Sequence, residues 1–311
     1  MKLVSIVVPV YNEQDNIEHF TECTCKVMDS LNYEYELIFV DDGSKDNSRQ
    51  ILPELAAKNP HVHYVFLARN YGHQLALTCG LDSAEGDAVI TMDGDMQHPP
   101  ELIPELIARW EQGYEVVQTI RKTTEGVSML KKLTSTYYYR LLNLMTDITI
   151  KEGGSDFRLM DRKVVLAFRR YGEHARFIRG MVTSMGFEQC TLPFVAPKRF
   201  AGHSKFSPRK MFRLAIDGVM AYSTMPLRIA LYLGLSAAIL SLLLFCHVMF
   251  ATIEGNSVPG WATIMVCVLF FGGVQMTVLG VVGEYIGRIF EEVKGRPLYL
   301  TTRDNLNKNQ K

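Results

Sequence analysis

Two aspartates separated by one residue follow an apolar run in the first third of the chain. Asp93 and Asp95 come directly after the run 88–92, and Gln97 lies two residues further on. Carboxylate and amide oxygens are the ligands that Mg²⁺ and Mn²⁺ prefer, and these ions keep coordination positions open for substrate phosphates. An acidic pair of this spacing also occurs in solvated turns, but its place at the end of an apolar strand favours a metal site.

Polar residues also follow two other apolar runs. Asp42 lies in the sequence DDGS after the second run, where it can accept hydrogen bonds from a nucleobase or simply belong to a turn before a helix. The stretch that includes Pro9, Tyr11 and Glu13 closes the first run, Leu3–Val10, in the same way. The chain contains neither a Gly-rich dinucleotide fingerprint after this run nor a P-loop sequence, which argues against Rossmann dehydrogenases and P-loop NTPases.

Cationic residues occur later in the chain. Arg158, in the sequence SDFR, and Arg121, after the last predicted strand, are candidates for neutralising a diphosphate, although a single arginine is as often a plain surface residue. Arg199, Ser204 and Lys205 belong to a basic loop that is suited to binding a lipid phosphate or closing over a donor. Simple attraction to anionic headgroups would also explain the charge of this loop.

Short β-branched runs that alternate with helical stretches predict the scaffold that positions these residues. The predicted strands are 3–10, 35–40, 62–67, 88–92 and 116–120. The predicted helices are 13–31, capped by Asn12, 46–58, 72–83 and 101–112. This alternation predicts an α/β fold with a doubly wound, mostly parallel sheet, in which ligands bind beyond the carboxyl ends of the strands.

Two long segments near the C-terminus contain no Asp, Glu, Lys or Arg, namely 229–253 and 261–283. At ~1.5 Å per residue each is about 35 Å long, enough to cross a ~30 Å hydrocarbon core. A pair of buried core helices is the alternative, although uncharged segments of this length are rare in a soluble core. Basic residues flank the two segments on the side away from the loop that connects them. This asymmetry predicts that both flanks lie in the cytoplasm.

The predicted organisation has five parts: a cytoplasmic catalytic domain (1–205), an amphipathic juxtamembrane helix (206–228), two transmembrane helices (229–253 and 261–283) and a cytoplasmic tail (284–311). The formal net charge is zero, which argues against a nucleic-acid partner. The six cysteines do not have the spacing of a zinc site, so we expect reduced thiols.

Six short motifs occur in order along the chain: VPVYNE at 8–13, VDDGS at 40–44, RNYG at 69–72, DGDMQ at 93–97, DFR at 156–158 and GHSK at 202–205. As an ordered set they resemble the family 2 glycosyltransferases. The resemblance is strongest to the polyisoprenyl-phosphate branch, which includes dolichol-phosphate mannose synthases, bactoprenol glucosyltransferases and the aminoarabinose transferase of lipid A modification. It covers nearly the whole chain. Gly94 departs from the Ala or Val that we associate with its position.

The resemblance implies a GT-A fold, an inverting mechanism and a divalent metal, Mg²⁺ or Mn²⁺. The implied metal ligands are Asp93, Asp95 and Gln97. The implied contacts of the nucleotide-sugar are Pro9, Tyr11, Glu13, Asp42, Asp93 and Arg121. We expect the catalytic residues to be Asp95, Asp156 and Arg158, with Asp156 as a positioning or base-like carboxylate. The expected contacts of the acceptor phosphate are Arg199, Ser204 and Lys205.

The predicted function is transfer of a hexose from a nucleotide-sugar, with UDP-glucose as the expected donor, to a polyprenyl phosphate such as undecaprenyl phosphate. The product would serve cell-envelope glycan or lipid modification. We expect the enzyme to be a multi-pass protein of the inner membrane, with its catalytic domain in the cytoplasm. Its expected partners are the donor, the lipid acceptor, membrane lipid and further copies of the chain, since relatives in this family form tetramers.

Four alternatives remain open at this stage. A GDP-mannose-dependent polyprenyl-phosphate mannose synthase would share every motif. A non-catalytic membrane scaffold with a decayed transferase domain is disfavoured by the intact acidic and basic sets. A processive polysaccharide synthase would need a Q-x-x-R-W-type motif and more membrane segments, and neither occurs. A nucleotidyltransferase would also use paired carboxylates, but the membrane segments and the basic loop argue against it.

Overall fold

The computed structural model describes residues 1–122, 153–195, 197, 223–254 and 260–306. These residues form two compact units. The described residues between 1 and 197, together with 296–306, form the first unit, and residues 223–254 and 260–295 form the second.

An eight-stranded sheet forms the centre of the first unit, in the order β7-β5-β6-β4-β1-β2-β3-β8. Its strands are β1 (Leu3–Val10), β2 (Glu34–Asp41), β3 (Val62–Leu67), β4 (Ala88–Thr91), β5 (Val116–Arg121), β6 (Gly154–Asp161), β7 (Gln189–Phe194) and β8 (Thr301–Asp304). All are parallel to one another except β6 and β8, which run in the opposite direction. The first residues of β6 therefore lie at the same sheet edge as the carboxyl ends of the parallel strands.

Helices cover both faces of this sheet. They are α1 (Gln14–Asp29), α2 (Ser48–Lys58), α3 (His73–Ser83), a 3₁₀ turn (Pro100–Leu102) that leads into α4 (Ile103–Glu111), α5 (Arg162–Arg169) and α6 (Ile178–Ser184). Side chains alternate between the two faces of a strand. Val4, Ile6 and Val8 of β1 pack in one core with residues of α1, α2 and α4. Val7 faces α3, whose Gly80 allows close approach because an added Cβ would lie 2.1 Å from Val7 Cγ1.

The predicted strands and helices agree with the structure to within a few residues, and the mostly parallel α/β sheet is confirmed. One detail was wrong: Asn12 does not cap α1. The cap residue is Glu13, and Asn12 has a φ of 52° and accepts a hydrogen bond from the N–H of Lys45 at 2.8 Å. The predicted helix 101–112 begins as a 3₁₀ turn. The sequence did not predict β6, β7 or β8.

Strand β8 comes from the segment that we expected to be a tail (284–311). It pairs antiparallel with β3, and Asn305 fixes it by accepting a hydrogen bond from the N–H of Tyr64 at 2.7 Å. Tyr299, just before the strand, donates its hydroxyl to Asp82 at 2.8 Å. All four residues of β8 are exposed, so its formation depends on backbone pairing and leaves no apolar pattern in the sequence.

The second unit contains the helices α7 (Met225–Ile253) and α8 (Trp261–Val293). Both are longer than the predicted segments. The windows Met225–His247 and Cys267–Val293 have mean hydropathies of 2.4 and 1.6, so each helix is long and apolar enough to cross a membrane. Only 11% and 0% of these windows are buried, which argues against the alternative of buried core helices. The predicted juxtamembrane helix lies mostly outside the described residues.

Candidate active site

The acidic residues singled out in the sequence lie at one edge of the sheet. Asp93 and Asp95 follow β4, and Asp156 is the third residue of β6. Thr91 pairs with Arg158 in the antiparallel register of these strands, and extending that register by two residues places Asp93 opposite Asp156. The hydroxyl of Thr91 donates to the carbonyl of Asp156 at 2.5 Å, which holds the two chain segments together.

Asp93 has a buried carboxylate oxygen, Oδ1, with no hydrogen-bond partner among the described residues. Asp95 is buried, and its Oδ1 accepts from the N–H of Gln97 at 3.0 Å. A buried carboxylate oxygen that accepts no hydrogen bond is unfavourable; the imidazole of His73 lies 3.5 Å from this oxygen, and a divalent cation would satisfy it more fully. The oxygen donors present at these three residues therefore fit such an ion.

In the described part of the chain, no group of three or more His, Cys, Asp and Glu side chains is placed to hold a metal ion. The predicted ligand set consists of two carboxylates and one amide, so it does not form a group of three His, Cys, Asp or Glu side chains. Mg²⁺ is usually bound through one or two carboxylates, with substrate phosphates and water completing its coordination. A site at this position would therefore need the substrate to complete it.

His98 holds the turn that carries Asp93. The N–H of Asp93 donates to His98 Nδ1 at 2.8 Å, so the proton of the neutral ring must be on Nε2. That nitrogen lies 2.7 Å from Ser155 Oγ. The ring stacks on Phe157 with centroids 5.1 Å apart, and burial lowers the pKa of His98. The sequence analysis missed this residue, although it directly follows Gln97.

The carboxylate of Asp156 is held by two arginines. Arg179 contacts it through both oxygens, with Nε 2.9 Å from Oδ1 and Nη2 3.1 Å from Oδ2. Arg158 Nη2 lies 2.9 Å from Oδ1, and Gln74 donates to Oδ2 at 3.4 Å. Burial alone would raise the pKa of Asp156, but Arg179, His73 and Arg158 outweigh it and hold this pKa well below its usual range. Asp156 is therefore ionised at neutral pH.

His73 lies between the two acidic groups. Its Nε2 is 3.5 Å from Asp93 Oδ1 and 3.5 Å from Asp156 Oδ2. Burial lowers the pKa of His73, but the two carboxylates more than offset this and raise it to about 9. In the structure as it stands, His73 is thus a cation that connects the predicted metal ligand to Asp156. Its only signal in the sequence is its place after the RNYG motif.

Arg158, a predicted catalytic residue, is buried beside the carboxylate of Asp156. Its side chain is 1% exposed and lies behind Asp156, so it is poorly placed to contact a diphosphate. Arg179, which the sequence analysis missed, is 32% exposed and holds the same carboxylate. Nothing in the local sequence marks Arg179, because Asp156, which it contacts, lies on β6 and not on its own helix. Of the two arginines that contact Asp156, Arg179 is therefore the one accessible to a substrate.

The loops after β1 and β2 are bonded to each other, and they carry the residues predicted to surround the nucleoside. The N–H of Asn12 donates to Ser44 Oγ at 2.8 Å, and the side chain of Asn16 donates to Glu13 at 2.6 Å. Tyr11 directly precedes Asn12 and Glu13 in the chain. Pro9 lies past the part of β1 that pairs with β4, so its missing N–H costs no hydrogen bond to that strand.

Asp42 is buried and fixes a neighbouring loop. It accepts hydrogen bonds from the N–H groups of Tyr71 at 2.6 Å and Gly72 at 2.9 Å. Burial raises the pKa of Asp42, and these two bonds partly offset the effect. The adjacent Gly43 has a φ of +72°, and a Cβ there would lie 2.6 Å from the carbonyl carbon of Arg69. A contact between Asp42 and a nucleobase stays a prediction.

The remaining predicted residues are Arg121, at the end of β5, and three residues outside the described chain. Arg121 is the exposed last residue of β5, a strand that β6 separates from β4, and its N–H donates to the carbonyl of Gly153 at 2.9 Å. The predicted acceptor contacts Arg199, Ser204 and Lys205 fall among the residues that the structure does not describe.

Comparison with known proteins gives two family matches. The profile described as Glycosyl transferase family 2 matches residues 5–167, and the one described as GtrB C-terminal hairpin matches residues 225–289. The uncharacterized glycosyltransferase sll0501 of Synechocystis sp. is 43% identical over 300 residues, which cover 96% of this chain and 94% of the relative. The SfII prophage-derived bactoprenol glucosyl transferase of Shigella flexneri is 39% identical over 303 residues, with 97% and 98% covered. Among solved structures, mannosyl-3-phosphoglycerate synthase from Rubrobacter xylanophilus aligns over 71% of this chain and 72% of its own at a TM-score of 0.48, too distant to bear on function.

Proposed function

Because this chain belongs to glycosyltransferase family 2, and is therefore a glycosyltransferase, we propose that it transfers a hexose from a nucleotide-sugar to a polyprenyl phosphate at a membrane. The family, the enzyme class and the GT-A type of fold are those predicted from the sequence. The proposal adds the donor, the acceptor, the metal and the location of the reaction.

The observation that carries the proposal is the presence, in one chain, of a transferase unit and two helices able to cross a membrane. Relatives with the name bactoprenol glucosyl transferase match nearly the full length of both chains, so they share this combination. A polyprenyl chain cannot leave the bilayer, and an enzyme that uses it must meet the phosphate at the membrane surface. The name of these relatives also supports glucose as the transferred sugar.

The donor is proposed to be UDP-glucose, with its nucleoside among Pro9, Tyr11, Glu13 and Asp42. Its diphosphate is proposed to lie near Asp93, with Arg121 as a further contact. Mg²⁺ or Mn²⁺ would be held by Asp93, Asp95 and Gln97, and the buried Oδ1 of Asp93, which accepts no hydrogen bond from the described residues, supports this. When bound, such an ion stabilises negative charge on the leaving diphosphate.

The acceptor phosphate supplies the nucleophile. A phosphate monoester has a second pKa of ~6, so its oxygen is largely ionised at neutral pH without a strong base. In the proposed inverting reaction, a phosphate oxygen forms a bond to the anomeric carbon while the bond from that carbon to the nucleoside diphosphate breaks. Arg199, Ser204 and Lys205 are proposed to hold the lipid phosphate, on the cytoplasmic side that the basic flanks indicate.

The test is to incubate the purified full-length protein in lipid nanodiscs with undecaprenyl phosphate, Mg²⁺ or Mn²⁺, and a panel of radiolabelled UDP- and GDP-sugars. We expect label from UDP-glucose to enter the organic phase in proportion to enzyme. Label from GDP-mannose alone would assign a different donor. If no sugar reaches the lipid under conditions in which the protein is folded, the proposed function is wrong.

A further inference from the structure

Two guanidinium groups share the single carboxylate of Asp156. Arginine stays protonated in proteins, so Arg158, Arg179 and Asp156 together retain one net positive charge. Arg158 contributes a buried Nη1 that has no hydrogen-bond partner among the described residues. Among these three side chains, two positive charges thus share one negative charge.

Only one of the two arginines can present this charge to a ligand. The side chain of Arg158 is 1% exposed, whereas that of Arg179 is 32% exposed. An anion that approaches from solvent thus meets Arg179, with Asp156 and Arg158 behind it. Because charges interact more strongly where water is excluded, the buried guanidinium adds to the attraction that Arg179 exerts.

The cluster lies beside the predicted metal ligands. Asp156 stands opposite Asp93 in the register of β4 and β6, and His73 Nε2 is 3.5 Å from an oxygen of each. In a transfer between phosphates, the leaving diphosphate and the attacking phosphate flank one carbon atom. A guanidinium bound to Asp156 is therefore close to the place where the two phosphates lie on either side of this carbon atom.

Arg179 is also held in place by the structure around it. It is the second residue of α6, and the N–H of the preceding Ile178 donates to Gln74 Oε1 at 3.0 Å. The amide nitrogen of the same glutamine donates to Asp156 Oδ2 at 3.4 Å. Gln74 thus joins the start of α3, the start of α6 and the carboxylate. Donors that are fixed before the substrate arrives lose little energy to reorganisation, which is what stabilisation of a transition state requires.

We propose that Arg179 binds a substrate phosphate during the transfer, and that Asp156 is its positioning residue and not a proton acceptor. This inference rests on the proposed function, because its ligand is the phosphate of either the donor or the acceptor. It agrees with the chemistry of the nucleophile, which is already ionised. A carboxylate that accepts hydrogen bonds from two guanidinium groups is, in addition, a poor base.

The first test compares Arg179→Gln and Arg179→Lys with a matched control in the full-length enzyme in nanodiscs. The control is Arg169→Gln, because Arg169 donates to the carbonyl of Leu81 at 2.7 Å, at the far end of α3 from His73. We expect Arg179→Gln to lower kcat/KM about 100-fold, the usual loss when one preorganised donor is removed. Lysine keeps the positive charge but cannot make two parallel hydrogen bonds, so the kcat/KM of Arg179→Lys should lie between those of the wild type and Arg179→Gln. Arg169→Gln should lower Tm and leave kcat/KM unchanged.

The source of the phosphate follows from the same variants. A rise in KM for UDP-glucose with an unchanged KM for polyprenyl phosphate assigns the contact to the donor. A rise in KM for polyprenyl phosphate with an unchanged KM for UDP-glucose assigns it to the acceptor. A fall in kcat with both KM values unchanged assigns a contact made in the transition state. Each of these supports the inference. Wild-type kinetics in folded Arg179→Gln, or a loss no larger than that of Arg169→Gln at equal loss of Tm, overturns it.

The role of Asp156 is tested with Asp156→Asn and the double variant Asp156→Asn/Arg179→Gln. If Asp156 acts by holding Arg179, the double variant should be no slower than the slower single variant, because the two losses are coupled. If Asp156 accepts a proton independently, the two losses multiply and this part of the inference fails. Thermal melts confirm that each variant is folded. The kinetics of the single variant Arg179→Gln decide, independently of Asp156, whether Arg179 binds a substrate phosphate. A wild-type enzyme with no transfer activity would instead refute the proposed function, and this inference with it.

Discussion

Replacing His98 tests whether the turn that carries the predicted metal ligands is held by a single imidazole. His98→Leu removes the acceptor for the N–H of Asp93, which is bonded at 2.8 Å, and the contact with Ser155 Oγ at 2.7 Å. The turn also includes Met96, a non-glycine residue with a φ of 61°. Left-handed backbone of this kind is unfavourable and persists only where surrounding contacts enforce it. Loss of His98 should therefore let the turn relax.

The size of the effect follows from the contacts that are lost. A buried N–H left without a partner costs about 1–3 kcal/mol, and the stacking of His98 on Phe157 adds about 0.5–1.5 kcal/mol by analogy with aromatic pairs. We expect His98→Leu to lower stability by about 3 kcal/mol in total, which corresponds to a fall in Tm of about 6–12 °C for a unit of this size. Because a displacement of ~1 Å at the reacting groups can cost about 100-fold in rate, activity should fall by this order.

Two further variants separate the contributions. In His98→Asn the side-chain oxygen can take the place of Nδ1 and accept from Asp93, so it should keep more activity than His98→Leu. The control is His61→Leu, because His61 likewise stacks on an aromatic ring, Tyr35 at 4.2 Å, and contacts the Tyr35 carbonyl at 3.0 Å, but precedes β3. Transfer rate and Tm are measured for all three. Equal losses in His98→Leu and His98→Asn would refute the assigned role of the Asp93 N–H bond, and a wild-type rate in His98→Leu would refute the role of the residue.

Three other changes have expected outcomes. Asp95→Ala should abolish transfer at unchanged Tm, and excess EDTA should do the same to the wild type until Mg²⁺ or Mn²⁺ is restored; full activity in EDTA would exclude the metal. Gly43→Ala should lower stability by more than about 2 kcal/mol, because it adds a left-handed alanine to a Cβ contact of 2.6 Å with backbone; an unchanged Tm would contradict this. Asn305→Ala removes the bond to the Tyr64 N–H and should lower Tm by about 2–4 °C, through about 1 kcal/mol, without changing kcat; calorimetry and the transfer assay decide.

The elements that the sequence predicts correctly are those with a recognisable pattern of apolar and turn residues within a short segment. Strands β1 to β5 are apolar runs with turn residues at their ends, and the structure places each within a residue or two of its expected bounds. Because parallel strands end at a common edge, the acidic motifs can be assigned to that edge from the sequence alone. The same holds for α7 and α8, whose composition alone marks them.

The unpredicted part depends on contacts between distant segments. Strand β6 contains Asp156, Arg158 and Asp161, and three charged residues in a short segment do not resemble a buried strand, yet Arg158 is 1% exposed and contacts the carboxylate of Asp156. His73, His98 and Arg179 carry no motif of their own. His73 and Arg179 have their roles because carboxylates from other segments lie next to them, and His98 because it accepts from the N–H of Asp93 and contacts Ser155 on β6; one sequence contains no record of these contacts.

The reversed direction of β6 explains how the site can be assembled from loops so far apart in the chain. Four neighbouring strands, in the order β2-β1-β4-β6, bring to one edge Asp42, then Tyr11 and Glu13, then Asp93 and Asp95, then Asp156. With β6 parallel to its neighbours, Asp156 would lie at the opposite edge of the sheet. The order matches an extended donor whose base, diphosphate and sugar follow one another, so the proposed transfer has its reaction centre between β4 and β6. A donor complex with the base over β6, or the sugar over β2, would contradict this arrangement and the roles proposed for Asp156 and Arg179.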